Sequence, residues 1–194
     1  MDSNPENHHR RSTRLKEYDY SQAGAYFVTV CAKDRECLFG DIVDGEMRLN
    51  DAGFMIQKWW HESANKFKNI ELDESVIMPN HFHGIIVIVG AALCGRPDNN
   101  VQPLRKGQPH RVAPTLGNIV DWFKTMSTNE YIRNIRQYNW PPFNSKLWQR
   151  NYYEHVIRND ADLDRIRRYI AENPMKWGDD EDNPVNIIYR RGNS

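Results

Sequence analysis

Cysteine is scarce in this chain, long apolar runs are missing and net charge is nil, and each absence removes a class of protein. Its three cysteines, Cys31, Cys37 and Cys94, form no Cys-x-x-Cys pair. That excludes a disulfide framework and a thiolate metal site, and it suits a reducing cytosol. No apolar stretch approaches the roughly 18 residues of a membrane span. The polar N-terminus lacks the apolar core of a secretion signal. The expectation is a soluble, cytoplasmic protein with no membrane partner. Basic and acidic residues balance at 26 each, which argues against bulk, non-specific nucleic-acid binding. There is no internal repeat, no glycine-rich phosphate loop and no His-Glu-x-x-His helix.

What remains is ordinary globular material. The 194 residues are 39% hydrophobic and 27% charged, enough for one domain with a sizeable core. Charge is unevenly spread: His8-His9-Arg10-Arg11-Ser12-Thr13-Arg14-Leu15-Lys16 is basic and Asp179-Asp180-Glu181-Asp182 acidic. This suggests a basic arm over 1–17, a domain over 18–178 and an acidic, polar tail over 179–194, expected to be solvated. Residues 90–114 are rich in Gly, Pro, Asn and Gln and carry Arg96, Arg105, Lys106 and Arg111. They read as a long basic loop, which in a domain of this size is functional or disordered.

Tyr26-Phe27-Val28-Thr29-Val30 has the composition of a strand. Leu38 to Asn50 alternates around Asp44-Gly45, a hairpin turn. Asn50 or Asp51 can cap a helix running to about Phe67, with Phe54, Met55 and Trp59, joined by Ala52 and Ser63, as its inward stripe. Ile70 to Met78 is extended. Leu116 to Ile135 reads as a helix with Ile119, Phe123, Met126, Tyr131 and Ile135 on one side. Leu147 to Ile157 is an extended segment leading into a last helix, capped at Asn159 and ended near Asn173 by Pro174. Strands and helices so interleaved predict an α+β fold, an antiparallel sheet with helices packed on one face.

The chemistry centres on Met78-Pro79-Asn80-His81-Phe82-His83-Gly84, which opens the β-branched run Ile85-Ile86-Val87-Ile88-Val89. Residues two apart on a strand share a face. His81 and His83 therefore point the same way while Phe82 packs, making half of a metal site or a pair of structural histidines. In the last helix Tyr169 and Asn173 are four apart and stack on one side, with Arg165 one turn earlier. On spacing alone they are equally a packing tyrosine and a helix-ending amide.

Three segments in this order, the histidine stretch, Leu147-Trp148-Gln149-Arg150-Asn151-Tyr152-Tyr153-Glu154-His155 and Arg168-Tyr169-Ile170-Ala171-Glu172-Asn173-Pro174, resemble the REP-associated tyrosine transposases. These are a bacterial branch of the single-tyrosine transposases with a His-hydrophobic-His motif. Arg14-Leu15-Lys16-Glu17-Tyr18-Asp19-Tyr20 and Tyr26-Phe27-Val28-Thr29 are similar to that family too, and the resemblance spans about residues 10–178. It implies a ferredoxin-like core with a C-terminal tyrosine-bearing helix, and a divalent cation, Mg²⁺ or Mn²⁺, held by His81, His83 and Asn173. It also implies Tyr169 as the nucleophile that nicks single-stranded or hairpin DNA and transfers the strand through a covalent 5′-phosphotyrosine. Asn173 stands where mobile relatives place a longer glutamine. Arg10, Arg11, Arg14 and Lys16, with Trp148, Arg150 and Arg165, are the expected DNA contacts, the aromatic-basic segment by stacking on unpaired bases. Tyr152 and Tyr153 are rival nucleophiles, Glu154 and His155 candidate helpers of tyrosine ionisation, and the protein a monomer or homodimer. The competing readings are a hairpin-binding module without efficient catalysis and a zinc-dependent hydrolase of small substrates.

Overall fold

The computed structural model describes residues 22–89 and 114–186; the basic arm, most of the 90–114 loop and the end of the tail lie outside them. Strand β1 (Gly24–Cys31) is followed by the hairpin β2 (Gly40–Val43) and β3 (Glu46–Leu49) and by helix α1 (Asp51–Lys66). Then come β4 (Ile70–Met78), β5 (His81–Ile88), α2 (Leu116–Tyr138), β6 (Tyr153–Ile157), α3 (Asp160–Glu172) and a 3₁₀ turn over Pro174–Asp179. The main sheet runs β4-β5-β1-β6, every neighbouring pair antiparallel. With the β2–β3 hairpin set aside, the order β1-α1-β4-β5-α2-β6 is the ferredoxin-like βαββαβ arrangement. No described helix is long and apolar enough to cross a membrane.

Local signals placed the element ends. The Asn50 side chain accepts from the Gly53 N–H at 3.0 Å, that of Thr115 from Asn118 at 3.2 Å and that of Asn159 from Asp162 at 2.9 Å. These caps satisfy N–H groups that a helix start leaves open. The β2–β3 turn needs positive φ at both central residues, supplied by Asp44 (53°) and Gly45 (77°).

The sheet has two different faces because alternate residues of β1 and β5 point opposite ways. Tyr26, Val28 and Val30 of β1 and Phe82, Ile86 and Ile88 of β5 join one buried cluster with Ile56 and Trp60 of α1 and Ile119 and Phe123 of α2. Trp60 lies 4.5 Å from Phe82 between ring centroids, and Phe82 5.4 Å from Phe123. On the opposite face Phe27, Ile85 and Ile157 pack against Ile166 and Ile170 of α3. Thus α1 and α2 cover one face as expected, and the C-terminal helix takes the other.

The α1 stripe is turned by one position from the sequence expectation. Ala52, Gly53, Met55, Ile56, Trp60 and Ser63 are buried, whereas Phe54 is 58% exposed. Two constraints set this rotation. Gly53 comes so close to the Phe39 carbonyl that an added Cβ would sit 2.3 Å from it. The Trp59 indole N–H donates to Glu130 Oε2 on α2 at 2.8 Å, holding that ring at the edge. In α2 the inward residue is Ser127, with Met126 half-buried.

Gly84 marks the tightest approach between sheet and helix. A Cβ there would meet Trp60 at 2.5 Å and Phe82 at 2.7 Å, both large buried rings. Gly84→Ala is therefore expected to lower the unfolding free energy by about 1–3 kcal/mol through overpacking, read from the midpoint of urea denaturation with an unchanged slope; a midpoint equal to that of the parent would contradict the packing.

Candidate active site

His81 and His83 open β5 after the tight Pro79-Asn80 turn, and their side chains share the α3 face of the sheet. Directly across the β1–β5 ladder stand Cys31 and Thr29. Both imidazoles are buried, at 0% and 3% exposure. Burial drives the proton affinity of His81 well below the ordinary imidazole range, helped by His83, and pushes His83 down to about 3. Both rings are therefore neutral at neutral pH, the form in which imidazole binds a metal.

Their hydrogen bonds assign the protons. The Asn80 amide nitrogen donates to the carbonyls of Arg35 (3.0 Å) and Asp182 (2.7 Å), so its oxygen must face His81 Nδ1, 2.9 Å away. Nδ1 of neutral His81 consequently carries the hydrogen and Nε2 keeps its lone pair. His83 Nδ1 pairs with the Thr29 hydroxyl at 2.8 Å, a group that can give or take the proton. The two Nε2 atoms then meet 3.0 Å apart. Cis ligands of an octahedral ion bound at about 2.0–2.1 Å stand about 3 Å apart, so the pair could hold a divalent cation.

Asn173 caps the end of α3, 3% exposed, and its Oδ1 is buried with no hydrogen-bond partner. The amide reaches towards both His81 and Tyr169. A buried, unpaired carbonyl oxygen beside the two imidazoles is a group that a hard cation could use as a ligand. Among the described residues no three His, Cys, Asp or Glu side chains stand as a metal-binding group.

Tyr169 lies over the pair. Its hydroxyl is 3.5 Å from His83 Nε2, and its ring meets Phe27 edge-on at 5.9 Å and His83 at 5.3 Å. It is 44% exposed towards an open cleft of about 1470 Å³. Partial burial raises its pKa, and the Asp180 carboxylate raises it further. One chain thus supplies both the tyrosine and the imidazoles it faces.

Other sequence candidates divide by face. Tyr153 and His155 line the cleft with Arg150 and Arg165. Tyr153 is 49% exposed and contacts Phe27 at 6.4 Å, but Tyr169 is the tyrosine at His83. His155 Nε2 bonds Asp162 Oδ2 at 2.8 Å and, with Arg165, holds that carboxyl down at about 2. Glu154 is paired in register with Val28, so it lies on the α1–α2 face, away from Tyr169, while Tyr152 packs beside the large core and also lines the cleft. Arg10, Arg11, Arg14 and Lys16 lie outside the described residues.

Two expectations are corrected. Trp148 presents no ring to a base: it is 4% exposed, packs on Phe39 at 5.1 Å and donates its indole N–H to Ser127 at 2.9 Å. An antiparallel bridge between Ala32 and Trp148 draws this segment into the core. The acidic run is likewise not a solvated tail. Asp182 pairs with Arg35, and Asp180 Oδ2 stands 3.9 Å from His81 Nε2. Sequence motifs alone do not single out Thr29, Asn80 and Asp180, although Thr29 lies in a strand-forming stretch and Asn80 in the turn that leads into the histidine strand.

The buried imidazoles also set a pH dependence. Below the ordinary imidazole value of about 6.5 the unfolded chain takes up protons at 81 and 83 that the folded protein refuses. Stability is thus full above that value and falls as pH drops towards the depressed folded values. In chelator, urea denaturation should show a loss of roughly 2 kcal/mol between pH 7.5 and 5.5, and His83→Gln should remove about half of it; a flat profile in the parent would refute the neutral pair.

No known family profile matches the chain. An uncharacterized protein of Haemophilus influenzae is 40% identical over 175 residues, spanning 90% of this chain and 93% of the relative. A second protein of the same organism, provisionally named REP-associated tyrosine transposase, is 25% identical over 163 residues, 82% of this chain and 75% of that one. Among solved structures, a REP-associated tyrosine transposase bound to a REP hairpin superimposes with a TM-score of 0.54 at 19% identity, covering 86% of this chain and 74% of the other. It shares the fold. The chain thus has the fold of a REP-associated tyrosine transposase, and its sequence is similar to that of a protein provisionally given that name.

Proposed function

We propose that the protein nicks single-stranded DNA beside repeat-derived hairpins and transfers the strand through a covalent 5′-phosphotyrosine on Tyr169, using Mg²⁺ or Mn²⁺. The observation that carries this reading is the Tyr169 hydroxyl 3.5 Å from His83 Nε2, above two imidazole nitrogens 3.0 Å apart. A relative solved with a REP hairpin supports the substrate class.

His81, His83 and Asn173 would hold the cation, which when bound draws charge off the non-bridging phosphate oxygens. The rest falls to the chain's own groups. Phe27 and His83 fix the tyrosine ring edge-on, so its hydroxyl enters the cleft with little freedom left to lose. The phenol oxygen forms a bond to phosphorus as the bond to the 3′ oxygen breaks. The phenol loses its proton and the departing oxygen gains one, leaving a 3′ hydroxyl and a phosphotyrosine. The ester keeps the energy of the broken bond, so a second 3′ hydroxyl can reverse the step and rejoin strands. Arg150 and Arg165, which line the cleft, would follow the phosphate backbone.

A denaturing gel of the protein with hairpin oligonucleotides in Mg²⁺ or Mn²⁺ tests this. Tyr169→Phe should abolish the covalent adduct and change hairpin affinity less than about threefold, whereas Tyr153→Phe should keep the adduct; the opposite pattern would place the nucleophile on β6. Hairpin binding by the parent with no adduct under either metal would leave a binding module. Arg150→Ala and Arg165→Ala should each flatten the salt dependence of binding, by about 0.7 in the log–log slope for a single-strand contact.

A further inference from the structure

We infer that Asp180 is an additional, anionic ligand to the divalent cation, making the segment after the tyrosine helix part of the metal site. The inference rests on the reading of His81, His83 and Asn173 as its other ligands. Asp180 follows the 3₁₀ turn Pro174–Asp179, and its Oδ2 lies 3.9 Å from His81 Nε2 with the side chain only 13% exposed. That nitrogen is the one whose lone pair the Asn80 amide leaves uncommitted. The other carboxylate oxygen, Oδ1, accepts the Asp182 N–H at 2.7 Å, which anchors the group and leaves Oδ2 facing the histidine. Octahedral ligand spacings run from about 3 Å for cis pairs to about 4.2 Å for trans pairs at these bond lengths. The 3.9 Å between Asp180 Oδ2 and His81 Nε2 falls within that range.

A second observation points to a ligand independently of the carboxylate. Asn173 Oδ1, in the same cleft, is buried and unpaired. A carboxylate only 13% exposed beside two neutral imidazoles and an orphan carbonyl is an arrangement that a bound cation would stabilise. The guanidinium of Arg35 acts on Asp180 through its charge, while its ion pair is with Asp182. Two imidazoles and an amide bring no charge, and hard divalent cations such as Mg²⁺ and Mn²⁺ favour sites with at least one carboxylate. Asp180 would supply that charge.

Manganese binding separates the possibilities, read on the full chain from the electron paramagnetic resonance signal of free Mn²⁺ in about 0.3 M salt to screen exposed charges. Asp180→Asn should weaken binding at least tenfold, while Glu181→Gln, equal in charge change and next in sequence, should weaken it less than threefold. Asp180→Glu should fall between parent and amide. Near-ultraviolet circular dichroism of the metal-free proteins checks folding, and Asp180→Ser takes the place of the amide variant should that one misfold. Unchanged binding in the Asp180 variants with binding lost in His81→Ala would overturn the role of Asp180 and leave the histidine site standing. Unchanged binding in His81→Ala would overturn both.

Discussion

The cleft depends on one register, the antiparallel pairing that sets Thr29 opposite His83 and Cys31 opposite His81. Because the side-chain period of a strand is two, this register decides which residues meet the core and which meet the cleft. A slip of one residue would carry both imidazoles into the layer of Trp60 and Phe123 and turn Phe82 towards α3. Burial of Val28, Val30, Phe82 and Ile86 against α1 and α2 opposes that slip. The hydrophobic core on one face thereby fixes the polar geometry on the other. The tyrosine helix then needs only a small contact, Ile166 and Ile170 on Phe27 and Ile85, to bring its hydroxyl to the pair.

The electrostatics of the site follow from the same layering. The histidines are shielded on all sides and their nearest fixed partners are a hydroxyl and an amide, so they stay uncharged. Beside His81 negative charge enters from the segment after α3, where Asp180 and Asp182 approach the start of β5 and Arg35 pairs with the second of them. The cleft therefore combines a neutral histidine floor with both acidic and arginine side chains in its lining.

Much of this was legible in the residues. Strand, turn and cap signals are local, and Asn50, Asp44-Gly45 and Asn159 do what their chemistry predicts. The histidine pair, Tyr169 and Asn173 meet as the motif order implied. What escaped depends on distant partners. Periodicity placed Phe54 inward, but a close backbone contact at Gly53 and a hydrogen bond from Trp59 to another helix rotated the stripe. Trp148 sits among basic and aromatic neighbours, which suits a stacking surface; a single bridge to Ala32 and a buried serine make it core. The acidic run has no periodicity to betray that it folds back, since what recruits it is the Asn80 amide and Arg35, more than a hundred residues earlier.

Asn80 ties these layers together in another way. It stands in the turn between β4 and β5 and grips one carbonyl near the beginning of the fold and one near its end. Only while both grips hold is the amide unable to turn over, and only then is the hydrogen of His81 kept on the side away from the cleft. The position of a single proton in the centre of the molecule is therefore governed by whether two remote stretches of chain are seated, so that the closing of the fold and the readiness of the nitrogen are one event.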